Sequence, residues 1–202
     1  MSEDVTKAMV SIATYVEKVA GEINKDSVAR FLKILTSALA NKSKILVVGA
    51  GRSGLVAKAF AMRLMHLGFN VFVVGETITP SISDGDVLIA VSGSGSTQIV
   101  LSVASAAKRA RAVVVAITSF AESPLSKISD HVVVIPGRTK IAAETDYFAR
   151  QVLGIYEPLA PLGTLFEDTA MIFFDGVIYA LMNILGVGEE DMKKRHANVE
   201  YI

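Results

Sequence analysis

Lys44-Ile45-Leu46-Val47-Val48-Gly49-Ala50-Gly51-Arg52-Ser53-Gly54 is the stretch on which the fold turns. Residues 44–48 form a short apolar run without polar alternation, as a strand buried on both faces requires. Glycine closes the run, and a helical pattern occupies residues 53–67. A strand that passes through small residues straight into a helix is the opening unit of a doubly wound α/β sheet. Similar units recur downstream. Residues 70–74, 86–91, 112–117 and 131–135 are further apolar runs, separated by a helical pattern at 97–109 and by a short helix that Ser123-Pro124 can open. The expectation is an α/β protein: a doubly wound three-layer α/β/α sandwich with a five-stranded parallel sheet, flavodoxin- or Rossmann-like.

Working outward, Val5, Met9, Ile12, Val16 and Val19 recur at helical intervals, and Asp26 can cap a second helix carrying Phe31, Leu32, Leu35 and Leu39. Residues 1–42 therefore read as N-terminal helices and 43–135 as the α/β core. Residues 136–163 are long for a connector, and read either as a short helix around 142–152 or as a lid. Residues 164–202 return to helix, first from Thr164 to about Leu185. A short helix at 189–196 follows, acidic at its start and basic at its end, as the helix dipole favours. The whole chain, 1–202, is expected to form a single domain.

Composition excludes several classes. The 202 residues are 51% hydrophobic, and 20 basic side chains balance 20 acidic ones, which supports a packed core rather than disorder. No basic block exceeds Lys193-Lys194-Arg195, so a nucleic-acid partner is not expected. Without cysteine there is no disulfide, no thiolate nucleophile and no cysteine-built zinc site, a composition that suits a reducing compartment. The acidic opening Met1-Ser2-Glu3-Asp4 is unlike an export signal. Mean hydropathy is high, +0.48. Yet the best membrane candidate, 171–186, carries Asp175 and Asn183 and is shorter than the roughly 18–20 apolar residues a span needs. It reads instead as a helix buried against a sheet or a partner subunit. A soluble, cytoplasmic protein without a membrane partner is expected.

Two glycine-rich turns compete for the ligand. Gly49-Ala50-Gly51-Arg52-Ser53-Gly54 matches G-x-G-x-x-G, and Glu76 follows the next strand, where a dinucleotide fold places its ribose-binding acid. The same glycines also serve any sheet whose first helix packs closely, so this turn leaves both readings open. Ser92-Gly93-Ser94-Gly95-Ser96-Thr97 again follows a strand and opens a helix. Glycines admit close backbone approach, four hydroxyls offer donors, and the helix N-terminus adds free N–H groups and a positive dipole end. That is chemistry for a phosphate monoester.

The second turn resembles the phosphate loop of the SIS (sugar isomerase) domain family. The chain as a whole resembles its 6-phospho-3-hexuloisomerase branch. The further matching segments are Gly51-Arg52-Ser53-Gly54, Ala61-Met62-Arg63-Leu64-Met65-His66-Leu67-Gly68 and Gly75-Glu76-Thr77-Ile78-Thr79-Pro80. Pro161-Leu162-Gly163-Thr164-Leu165-Phe166-Glu167 and Lys194-Arg195-His196-Ala197-Asn198 complete the series in family order. Ser96 departs from the family in standing where a charged residue is expected, and 137–160 is longer than in the shortest members. The resemblance implies the SIS fold and an isomerase that interconverts D-arabino-hex-3-ulose 6-phosphate and D-fructose 6-phosphate through an enediol. It implies no metal and no redox cofactor, and a place in the ribulose monophosphate pathway.

By the same resemblance Glu167 is the base. His196 carries protons and enters the neighbouring subunit's site. Substrate is held by Gly51, Arg52, Ser53, Glu76 and Thr77 together with Ser92, Gly93, Ser94, Gly95, Ser96 and Thr97. Read from residues alone, Thr164-Leu165-Phe166-Glu167 is equally a capping box, Asp168 is a fallback base, and Arg52 is equally a surface residue. His66, His131 and the Met62, Leu64, Met65, Leu67 stripe read as structural. Excess apolar helix surface at 5–39 and 171–185 predicts a homo-oligomer, dimer or tetramer. Two alternatives remain: a sugar-phosphate-binding module without turnover, and an enzyme binding a nicotinamide dinucleotide at 49–54.

Overall fold

A computed structural model describes residues 2–137 and 163–196. Five parallel strands, β1 (Lys44–Gly49), β2 (Asn70–Val73), β3 (Val87–Val91), β4 (Val113–Thr118) and β5 (His131–Val134), lie in the order β2-β1-β3-β4-β5. Register pairs Gly49 with Val91 and Val91 with Ile117, so the ends of β1, β3 and β4 finish side by side. The continuous apolar runs are explained by burial on both faces. Ile45, Val47, Ile89, Val91, Val115 and Ile117 face α1 (Ser2–Glu22), α2 (Lys25–Ala40), α3 (Gly51–His66) and α6 (Thr164–Leu185). Leu46, Val48, Leu88, Ala90, Val114 and Ala116 face α4 (Gln98–Arg109) and α5 (Pro124–Ile128). In the first layer Phe60 of α3 stacks on Phe174 of α6 with ring centroids 4.0 Å apart, which fixes α6 against α3.

Several local expectations are corrected. The second helix is capped by Asn24, whose side chain accepts from Ser27 N at 2.8 Å, and Asp26 sits inside the first turn. The expected structural stripe splits: Leu64 and Leu67 are buried, whereas Met62 and Met65 are 45% and 41% exposed. Helix α6 spans 22 residues, and by length and composition alone it is long and apolar enough to cross a membrane. It is not buried all round. Phe166, Ala170, Phe174, Val177 and Leu181 enter the core, while Ile172, Tyr179 and Ile184 face outward. The last helix, α7 (Glu189–Lys193), is shorter than expected. The expected helix or lid around 142–152 lies outside the described residues.

Candidate active site

With this strand order the chain leaves β1 toward one edge and β3 toward the other, and the crevice between their carboxyl ends is where doubly wound sheets bind ligands. Both glycine turns open there. Gly49 and Gly54 face each other: a Cβ on Gly49 would lie 2.8 Å from the Ser53 carbonyl carbon, and one on Gly54 2.9 Å from Gly49 O. These glycines let α3 begin directly on the strand. The floor of the crevice is lined by Ala50, Ser53, Val91, Ser92, Gly93, Ser94 and Thr97.

The 92–97 turn is held from below. Gly95 has φ +62°, the left-handed region that glycine favours, and a Cβ there would lie 2.1 Å from Ser123 Oγ. Gly95 N donates to Ser92 O at 3.0 Å and Ser92 Oγ at 3.2 Å, and the Ser92 and Thr97 hydroxyls are 3.1 Å apart. Gly93 O accepts from Ser119 N and Gly95 O from Leu125 N, so two carbonyls that would repel an anion are already engaged. Ser92, Ser94 and Thr97 are buried, and Ser96 is half-buried with its N–H donating to Ser94 Oγ. Thr118 and Ser123 support the turn, and no local sequence pattern assigns them that role. Ser123 was legible only as the cap of α5, a role it also fills.

The acid lies one helix away. Gly163, with φ +71°, caps α6, so Thr164 is already inside the helix and the capping-box reading of Glu167 fails. The Glu167 carboxylate instead receives Arg52 Nε at 2.7 Å, and the same guanidinium reaches Asp168 Oδ1 at 3.2 Å. Arg52 is therefore tied to both carboxylates although its side chain is 57% exposed. Only 5% of Glu167 is exposed. Burial pushes its carboxyl above the usual range; Arg52 and a hydrogen bond from Ser53 pull it back, and the Asp168 charge pushes it up further. The paired carboxylates in turn raise the Arg52 guanidinium, chiefly through the Glu167 hydrogen bond. A buried carboxyl whose proton affinity has been raised is suited to exchanging protons with carbon.

Other expected site residues lie elsewhere. Gly51 starts α3 with φ +56° beside the crevice. Glu76 and Thr77 occupy the exposed turn after β2, where Glu76 pairs with Lys58 at 2.5 Å. His196 packs at a tilt against buried His66 with ring centroids 4.9 Å apart, in a second cleft of about 410 Å³ also lined by Arg63, Asp175 and Tyr179. Arg195 anchors that end by donating to His66 O at 3.1 Å. Arg52 opens α3 and His66 closes it, which at 1.5 Å per residue puts roughly 20 Å of helix between them. Within one chain, His196 and Glu167 are apart. His131 is buried, and its ring nitrogen lies 2.8 Å from Ser27 O, a packing role.

Fold and site together define a class: a flavodoxin-ordered α/β protein with a glycine- and hydroxyl-lined turn at the switch point and a buried carboxyl beside it. A family model described as the SIS domain matches residues 38–156, and the chain belongs to that family. It is 42% identical over 166 residues to the 3-hexulose-6-phosphate isomerase of Bacillus subtilis, covering 82% of this chain and 85% of that protein. The 3-hexulose-6-phosphate isomerase of Mycobacterium gastri is 36% identical over 200 residues, covering 99% and 94%. A crystal structure from Methanococcus jannaschii, from which a function as 3-hexulose-6-phosphate isomerase was inferred, superposes with TM-score 0.75 at 32% identity, covering 93% and 96%.

Proposed function

We propose that this protein is a sugar-phosphate isomerase that interconverts D-arabino-hex-3-ulose 6-phosphate and D-fructose 6-phosphate. The observation that carries the reading is the buried Glu167 carboxylate, held at 2.7 Å by Arg52, the neighbour in α3 of the Ser53 that lines the crevice with the 92–97 turn. A substrate whose phosphoryl group sits in that turn extends its carbon chain toward that acid. The 92–97 turn and the N-terminus of α4 take the phosphoryl oxygens through N–H groups and hydroxyls. Glu167 removes the proton from C3 of fructose 6-phosphate. The C–H pair becomes the C2=C3 bond of an enediol, and the C2 carbonyl electrons move onto its oxygen. Return of the proton to C2 and passage of the O3 proton to O2 complete the transfer without net oxidation. Arg52, beside Glu167, offers a fixed positive charge to the enediolate oxygens.

In the proposed assembly, a homodimer or homotetramer, His196 of one subunit reaches the neighbouring subunit's site and moves protons between O2 and O3. Its distance from Glu167 within one chain supports this. So do the outward-facing apolar residues Val5, Met9, Val10, Ile172, Tyr179 and Ile184 on α1 and α6. We place the reaction in the cytoplasm and in the ribulose monophosphate pathway, serving formaldehyde fixation in one direction and pentose formation in the other. The test is direct. The protein, given fructose 6-phosphate alone, is expected to produce a second ketohexose phosphate visible by carbon NMR. Binding without conversion would leave only a sugar-phosphate-binding module, and absence of both would refute the reading.

A further inference from the structure

Among the described residues one buried side-chain polar atom has no hydrogen-bond partner, Ser119 Oγ. Such a group costs free energy, and folded proteins rarely leave it so without reason. Its position is specific. Ser119 immediately follows β4, and its N–H donates to Gly93 O at 3.1 Å, which ties it to the start of the 92–97 turn. Along β4, Val115 and Ile117 face the α3 and α6 layer, while Val114 and Ala116 face the α4 layer. Ser119 lies one residue past the end of β4, whose carboxyl end finishes beside that of β3, from which the 92–97 turn opens. Thr118 is already engaged with Gly93 O and Phe120 N.

We propose that Ser119 is a further substrate-binding residue, whose hydroxyl hydrogen-bonds a sugar hydroxyl on the carbon chain between the phosphoryl group and the carbonyl. This rests on the proposed function for the kind of ligand, though not for its conversion. A hydroxyl both donates and accepts, so it suits a sugar hydroxyl. Its tie to Gly93 puts it beside the turn that takes the phosphoryl group, next to where the carbon chain leaves that turn and where ketose phosphates differ in configuration.

The experiment is calorimetric titration of wild type and Ser119→Ala with fructose 6-phosphate and, separately, with inorganic phosphate, alongside thermal unfolding of both proteins without ligand. The expected result has three parts. Fructose 6-phosphate binds about tenfold more weakly to the variant, as the loss of one hydrogen bond predicts. Inorganic phosphate binds both proteins within twofold. The unliganded variant melts no lower than wild type, because a hydroxyl without a partner has been removed. Unchanged affinity for the sugar phosphate would overturn the proposal. Equal weakening of inorganic phosphate would assign Ser119 to the phosphoryl group and overturn it as stated. A lower melting temperature or failure to fold would make the hydroxyl structural and overturn it too. Because binding is the readout, wild-type protein that binds the sugar phosphate without converting it refutes the isomerase reading alone, whereas wild type that binds neither refutes both.

Discussion

Gly95→Ala separates a turn built to grip a ligand from one that merely joins a strand to a helix. At φ +62° an L-residue is strained by about 1–2 kcal/mol. The new methyl would also lie 2.1 Å from Ser123 Oγ, 2.3 Å from Ser123 Cβ and 3.0 Å from Thr118 Oγ1. Ser123 therefore has to move. It caps α5 by accepting from Ser126 N at 3.2 Å, and its hydroxyl lies 2.8 Å from Ser126 Oγ; loss of such a cap costs about 0.5–2 kcal/mol. The two costs together come to about 1.5–4 kcal/mol, a fall in melting temperature of roughly 3–16 °C for a chain of this size. Thermal unfolding by circular dichroism measures the fall, and calorimetry with fructose 6-phosphate is expected to show weakened binding. Ser123→Gly in the same chain removes both colliding atoms, so the double variant should be less destabilised than the sum of the singles. A drop of under about 2 °C, or strict additivity, would refute the packing argument.

Three further outcomes follow from the same geometry. Arg52 holds down the proton affinity of Glu167 and Asp168 raises it, so the acid limb of kcat/KM should move to higher pH in Arg52→Met and to lower pH in Asp168→Asn; shifts of the same sign would contradict the assignment. The folded carboxyl of Glu167 binds its proton more tightly than the unfolded chain does. Its stabilising contribution is thus complete below the unfolded pKa and is lost as pH rises through the folded one. Glu167→Gln, which keeps an acceptor for Arg52, should melt higher than wild type above that window, and a lower melting temperature there would count against it. Ile172→Glu, on the outward face of α6, should reduce the mass measured by light scattering without loss of helical signal, and an unchanged mass would clear that face of assembly.

How much was legible in the sequence depended on whether a residue's role is local. The strands were readable because burial on both faces leaves runs such as Val87–Val91 without polar alternation. Turn 92–97 was readable because its hydroxyls and glycines are contiguous. Roles set by distant partners were not. Asn24 and Asp26 are both competent caps, and it is Asn24 whose side chain accepts from Ser27 N. Thr164 and Glu167 have the spacing of a capping box, yet Gly163 takes the cap and Arg52, far away in sequence, takes the carboxylate. Glu76 meets Lys58 and His196 meets His66 through tertiary packing alone, and no local pattern announces either contact.

The central claim is that the buried carboxyl at the start of α6 is the base acting on a sugar phosphate held by the 92–97 turn. Turnover of fructose 6-phosphate by Glu167→Gln, measured beside its binding of the same compound, tests it most directly. The predicted result is a loss of about 10²–10⁴-fold in kcat with affinity nearly intact, the contribution typical of a proton-transferring side chain. A variant that turns over at the wild-type rate while binding normally would contradict it.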